Sequence, residues 1–254
     1  MIRLKTKEEI KTLREGGRRH AEILRLVAEA VKPGVSTKSL DTLARKLIKE
    51  GGDKSAFLGY TPEGISYPYP AVLCVSVNDE VVHGIPNKSV KLREGDIVSL
   101  DLGLLHKGLV TDGAITVPVG KVSKEATALM KATKKALELA VKAAKVGNTT
   151  GDIGHAVESF VKPLGYGIVR ILSGHGVGYS VHEDPYIPNY GKRGTGDKLV
   201  AGMVIAIEPM LNLGTDEVCV TDDEYTFITE DGKLSAHFEH TVAITEKGPI
   251  ILTK

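Results

Sequence analysis

The chain predicts an α+β fold built from two related halves, and four observations predict it. Helical and strand-like hydrophobic periods follow one another in the same order twice. The helix start Gly34-Val-Ser-Thr, followed by Leu40, Leu47 and Ile48, recurs as Gly147-Asn-Thr-Thr, followed by Ile153, Phe160 and Val161, at an offset of 113 residues. Leu92, Gly95, Val98, Leu100 and Asp101 recur as Leu199, Gly202, Ile205, Ile207 and Glu208 at an offset of 107. A further match sets Val82-His83 and Ile85-Pro86-Asn87 beside Val181-His182 and Ile187-Pro188-Asn189. Matches in one order point to an internal duplication. We expect a single domain, 1–254, whose halves of approximately 1–120 and 121–254 pack about a pseudo-twofold axis. Sites commonly lie between such halves, which brings Asp101 towards Glu208.

Each element has a local reason. Thr6 and Glu9 fit a capping box, and Ile10, Leu13, Ile23, Leu24, Val27 and Val31 keep a helical period that Pro33-Gly34 ends. A second helix follows Ser36-Thr37 and carries Leu40, Leu43, Ala44, Leu47 and Ile48 on one face until Gly51-Gly52. Strand-like sequence runs from about Val72 to Val117. Lys107-Gly108 suits a hairpin that sets Asp101 and Asp112 on neighbouring strands. A third helix spans roughly Glu125 to Val146, closed by Gly147, and a fourth follows Thr149-Thr150 with Ile153, Val157, Phe160 and Val161. The lysines of the third helix read as a solvated face and give only weak support to transient ribosome contact. Late in the chain, Phe238, His240 and Val242 alternate with Glu239 and Thr241 in strand fashion.

Composition excludes several classes of function. The 254 residues hold 33 basic and 32 acidic side chains, a net charge of +1 that favours neither nucleic acid nor an anionic membrane surface. No apolar run is long enough to span a bilayer, and the charged N-terminal segment has no signal-peptide core. Cys74 and Cys219 lack metal-type spacing, so a reduced, cytoplasmic protein is expected.

Five residues stand out by context: Asp101 in SLDLG, Asp112 in VTDGAITV, His175 in SGHGVG, Glu208 in IAIEPM and Glu239 in HFEHT. A single acidic residue is most often solvated or paired with Lys or Arg at the surface. Here the acids sit in apolar or glycine-flanked runs, where unpaired charge is costly. Four carboxylates brought together cannot all stay ionised without cations. Two divalent ions would cancel their charge, and an oxygen and imidazole ligand set suits Mn, Fe, Co or Zn. His83 in VVHGIPN and His182 in YSVHEDP are further candidates. A lone strand histidine is usually a hydrogen-bonded core residue, but the duplication sets these two at matching positions.

The segments NDEVVHGIPN, GDIVSLDLG, TDGAITVPVG, GHGVGYSVHEDP, GMVIAIEPM and SAHFEHT, in this order and spacing, resemble the type I, bacterial-like methionine aminopeptidases over nearly the whole chain. The resemblance implies the pita-bread (creatinase/aminopeptidase) fold, with a dinuclear metal site between its halves. It implies that Asp101 chelates one ion, His175 and Glu208 the other, and that Asp112 and Glu239 bridge them. Glu208 would also shuttle the proton, while a bridging water or hydroxide attacks the scissile carbonyl. His83 would contact the scissile amide, and His182 would hydrogen-bond the carbonyl oxygen. Tyr69, Cys74 and Tyr225 match positions of an apolar methionine pocket, with Tyr60 beside them. The implied substrates are peptides and nascent chains that begin with methionine and have a small second residue, acted on by a monomer.

The sequence also departs from the usual pattern. The stretch TPEGISYPYPAVLC is longer than the usual link, Val181 stands where many relatives carry Phe, and Tyr225 where some carry Trp. Two other readings compete. Xaa-Pro peptidases share the fold and ligands but usually add an N-terminal domain. Catalytically silent binding proteins of the same fold usually lose a ligand, and all five are present here.

Overall fold

The helices begin where side chains satisfy their first N–H groups. The computed structural model describes residues 1–254. Helix α1 (Lys7–Glu29) opens on Thr6, whose hydroxyl accepts from Glu9 N at 3.2 Å while the Glu9 carboxylate accepts from Thr6 N at 2.7 Å. Helix α2 (Thr37–Glu50) is capped by Ser36, α3 (Lys124–Ala143) by Ser123, and α4 (Thr150–Val161) by a second capping box, Thr149 with Asp152.

Two helices end earlier than their apolar periods. α1 stops at Glu29, so Val31 packs on the core from outside the helix, because the approach to Pro33 disfavours helical backbone. α3 stops at Ala143, where the Asn148 side chain donates to the Ala143 carbonyl at 2.8 Å and leaves Val146 exposed.

The two halves use matching strands. Ile97–His106 is flanked by Leu73–Val77 and by Leu109–Pro118, while Val204–Ile207 is flanked by Gly174–Gly176 and by His240–Thr245. The approaches to α2 and α4 match as well. Gly34 N donates to Leu92 O at 2.7 Å and Leu92 N to Val35 O at 2.9 Å; Gly147 N donates to Leu199 O at 3.0 Å and Leu199 N to Asn148 O at 2.8 Å. Gly34 and Gly147 have φ of 87° and 91°, a left-handed backbone that glycine adopts without strain.

The third sequence match diverges locally. His83 follows the Glu80–Val82 strand and leads into irregular chain, whereas His182 leads into the Glu183–Ile187 strand.

Alternation on the central strands sorts core from site. Val98, Leu100, Leu102 and Leu104 pack with Ile23, Leu24, Val27, Leu40 and Ile48 of α1 and α2. Ile205, Ile207, Val242 and Ile244 pack with Leu129, Leu137, Ile153 and Val157 of α3 and α4. Each such buried side chain contributes roughly 1.5–3 kcal/mol. The intervening positions of Ile97–His106 carry Ser99 and Asp101 to the opposite face.

The halves meet along a polar seam. Thr116 Oγ1 donates to His237 O at 2.8 Å, and His237 N donates back to Thr116 Oγ1 at 2.9 Å. Glu239 N donates to Ala114 O at 2.9 Å, and Thr241 Oγ1 bonds both Asp112 N at 2.8 Å and Asp112 O at 2.7 Å. The late strand is therefore not continuous. Ser235–His237 pairs with Met210–Asn212, His240–Thr245 pairs with Val204–Ile207, and the chain changes sheet at Phe238-Glu239.

His20 of α1 lies beneath this seam, fully buried, its ring within 3.3 Å of both Gly113 O and Thr111 Oγ1. Desolvation presses its pKa down to about 4. The unfolded chain therefore takes up a proton near pH 6.5 that the native ring refuses, and native stability falls as pH drops towards about 4. In urea unfolding, His20→Gln is expected to lose about 2 kcal/mol less than the parent between about pH 7 and about pH 5. Equal losses would show that His20 is not held neutral.

Candidate metal centre and substrate pocket

The hairpin sets the first two acids. Lys107 and Gly108 turn with φ of 49° and 84°, the positive pair that matches strand twist. The register then places Asp101 opposite Ala114 and Asp112 opposite Gly103, so the two carboxylates stand on adjacent strands. His175 lies on the Gly174–Gly176 strand opposite Ala206. Glu208 follows Val204–Ile207, and Glu239 lies in the crossing between the two late strands.

All five line one cavity of about 60 Å³, together with His83, His182, Tyr60, Tyr69, Cys74 and Tyr225. Phe57 and Pro62 complete its wall. It adjoins a wider cleft of about 590 Å³ that shares His83, His175, His182 and Glu208.

The acids are buried with little to neutralise them. Asp101 is 7% exposed, and Asp112 and Glu239 are 3% exposed. Burial pushes Asp101 up to about 8, helped by Glu208, and drives Asp112 and Glu239 well above the usual carboxylate range, helped by their acidic neighbours. His175 Nε2 lies 3.3 Å from Glu208 Oε1. Burial presses His175 down and Glu208 up, but their mutual attraction and neighbouring charges reverse both shifts. Asp101 Oδ1 and Glu239 Oε1 are buried without any hydrogen-bond partner. Ligand atoms of Asp112, His175 and Glu239 all lie within 4.8 Å of one another. Buried, unsatisfied carboxylate oxygens beside an imidazole are the donor set a divalent cation needs, so the residues fit one.

The imidazoles differ in setting. His83 is half-buried at a φ of 61°, an uncommon backbone for a non-glycine residue, and desolvation lowers its pKa. His182 faces the cleft. Its ring stacks edge-on at 4.4 Å from His175, and its Nδ1 lies 2.8 Å from the Tyr60 hydroxyl. Desolvation and the His175 charge press its pKa down. Tyr69 and Tyr225 meet edge-to-face at 5.1 Å, Cys74 is buried, and Tyr69 donates to Gly84 O at 3.0 Å.

The long link before Cys74 is tied down across the pocket. Ser66 binds the Glu224 carboxylate through its N at 3.0 Å and its hydroxyl at 2.7 Å, while Tyr67 donates to Asp223 O. Val181 is buried behind the pocket and does not line it.

Two contributors escaped the sequence reading. His237, 1% exposed, lies 3.7 Å from Glu208 and 3.9 Å from Glu239, and desolvation lowers its pKa to about 4. The His-Phe-Glu spacing in HFEHT was its signal, since alternate strand residues share a face. Thr241, which holds the Asp112 backbone, gave none.

Residues 11–246 match the model of metallopeptidase family M24. The chain belongs to this family. It is 49% identical over 257 residues to a methionine aminopeptidase of Aquifex aeolicus, covering 100% of this chain and 99% of that one. Among solved structures it is similar to a methionine aminopeptidase of Thermotoga maritima, with a TM-score of 0.96, 44% identity and 100% of both chains covered. A prolidase of Pyrococcus furiosus follows at a TM-score of 0.79 and 27% identity, covering 99% of this chain and 65% of that one. The pita-bread fold and hydrolase class expected above are those of these M24 relatives, and the family uses divalent metal. No helix is long and apolar enough to cross a membrane.

If the acids hold a cation, metal binding and charge removal should relieve the same repulsion, so each should raise the thermal midpoint and the two gains should not add. Mn or Co added to metal-free protein should raise the midpoint of thermal unfolding by at least roughly 2–4 °C, the equivalent of about 1 kcal/mol for a domain of this size. Asp112→Asn should raise the metal-free midpoint, because it removes a buried charge, and should lose most of the metal-induced gain. A parent protein whose midpoint ignores every divalent ion would overturn the assignment.

Proposed function

We propose that the protein removes N-terminal methionine from peptides and nascent chains, with two divalent ions of the Mn, Fe, Co or Zn type held by Asp101, Asp112, His175, Glu208 and Glu239. One observation carries this reading: a single cavity is lined at once by these five groups, by two imidazoles and by an aromatic pocket. When bound, such ions supply a Lewis acid for the scissile carbonyl and lower the pKa of water.

The chain's own residues do the rest. Phe57, Tyr60, Tyr69, Cys74 and Tyr225 offer ring edges and a thiol to the methionine side chain, whose polarisable sulfur gains from aromatic contact. The acidic lining attracts the substrate's free α-ammonium group. Without that group an acetylated or internal methionine has no comparable anchor.

Glu208 takes a proton from the attacking water on a carboxylate oxygen and passes it to the leaving amine. In the tautomer assigned by this reading, the Tyr60 phenol donates to His182 Nδ1 across 2.8 Å. His182 then carries its own proton on Nε2, where it donates to the carbonyl oxygen as negative charge develops. His83, which lines both the cavity and the wider cleft, contacts the scissile amide. The chain acts as one catalytic unit, since both halves supply ligands. A monomer working in the cytoplasm suits this reading.

Metal-free protein reconstituted separately with Mn, Co, Fe and Zn should release free methionine from Met-Ala-Ser. It should leave N-acetyl-Met-Ala-Ser and a Xaa-Pro peptide intact. Cleavage of the Xaa-Pro peptide instead would replace this reading with a proline-specific one. Glu208→Gln should cut kcat by at least about 100-fold even where metal is retained. His182→Ala should lower kcat by roughly 100- to 1,000-fold with metal content unchanged. Near-normal turnover in either variant would remove the role assigned to that residue.

A further inference from the structure

Next to His182 in the chain lies an ion pair that the chemistry above does not use. Lys5 and Glu183 have side chains 1% and 5% exposed, and Lys5 Nζ donates to Glu183 Oε2 at 2.6 Å. The other carboxylate oxygen, Oε1, accepts from Tyr179 N at 2.5 Å and Ser180 N at 2.9 Å. One carboxylate therefore gathers the 178–183 turn around itself. Lys5 fastens that carboxylate to the N-terminal segment, where Lys5 N donates to Gly202 O at 2.7 Å and Lys5 Nζ to Arg3 O at 3.1 Å.

Packing reinforces the arrangement. Gly178 has a φ of 140°, and a Cβ there would come within 2.5 Å of Lys5 Cε, so the lysine stem occupies the space a larger residue would need. Arg3 lies 3.8 Å over the Tyr179 ring, and the Tyr179 hydroxyl donates to Glu9 at 2.8 Å. The turn so held ends at His182, the residue immediately before Glu183. A largely buried Lys–Glu pair has a desolvation cost that commonly cancels much of its attraction, so net stability is a weak reason for it.

We propose that Lys5 and Glu183 are positioning residues for His182. They clamp the turn through the Glu183 carboxylate while Tyr60 holds Nδ1, and together they fix where Nε2 meets the substrate carbonyl. This rests on the role given to His182 above. Misplacement of a group that acts in the transition state lowers kcat more than KM.

The test is a double-mutant cycle on metal-loaded protein, cleaving Met-Ala-Ser, with metal content and thermal midpoint measured alongside. Lys5→Met and Glu183→Gln are each expected to lower kcat about 10-fold in the parent, with KM within about twofold and metal content unchanged. In the His182→Ala background the same changes should lower kcat by less than about twofold, because the group they position is gone. Lys5→Met strands a buried carboxylate and is prone to unfold. Glu183→Gln keeps an acceptor for the two N–H groups, and Lys5→Met/Glu183→Gln removes the stranded charge, so the cycle can be completed without the single lysine variant. Equal kcat losses in both backgrounds, or unchanged kcat in the parent, would overturn the clamp while leaving the role of His182 intact. Full activity of His182→Ala alone would instead overturn that role, and the clamp with it.

Discussion

The structure is organised around the cost of burying carboxylates. Asp101, Asp112 and Glu239 are almost wholly removed from water, and Glu208 nearly so. Ionised groups in such a place repel one another and lack solvation, which is why three of the four have raised pKa values. A fold tolerates this only if something neutralises the charge, and an apolar core of ordinary size does not. The unsatisfied oxygens of Asp101 and Glu239 express the same constraint. A divalent cation, of the kind the family uses, would relieve it.

The seam between the halves is the device that concentrates the charge. Thr116, Ala114 and Asp112 on one side bond His237, Glu239 and Thr241 on the other through backbone and hydroxyl groups. These bonds hold the backbone of two acids through groups other than their carboxylates. The helices contribute from outside: the α1/α2 and α3/α4 clusters each press one central strand inward. Duplication thus has a mechanical meaning, since two similar half-sites face each other across one cavity.

Around this centre the polar groups are held in place by specific neighbours. Tyr60 bonds one nitrogen of His182, and the link that carries Tyr60 is tied to the Asp223–Tyr225 segment. The aromatic pocket, His182 and the 61–74 link therefore form one connected wall. The link does not stand free of the pocket. Its Ser66 and Tyr67 contacts fasten that wall to Asp223 and Glu224.

Sequence by itself determined the fold class, the duplication and the identity of the acidic set. Local physics wrote these plainly: capping boxes at Thr6 and Thr149, positive-φ glycines at Gly34 and Gly147, and acids set in apolar strands. It also indicated that Asp101 and Asp112 are neighbours, because a Lys-Gly hairpin fixes register. Tertiary structure alone decided the rest. The crossing of sheets at Phe238-Glu239 depends on bonds to Ala114 more than a hundred residues away, which no local period encodes. His237 reads as an ordinary strand histidine until Glu208 and Glu239 are seen beside it. The Lys5–Glu183 and Tyr60–His182 contacts join segments far apart in the chain, and lysine or tyrosine in those local sequences signals only a surface or a pocket. Short-range steric and hydrogen-bond rules are legible one residue at a time; desolvation and partner choice exist only once distant segments have met.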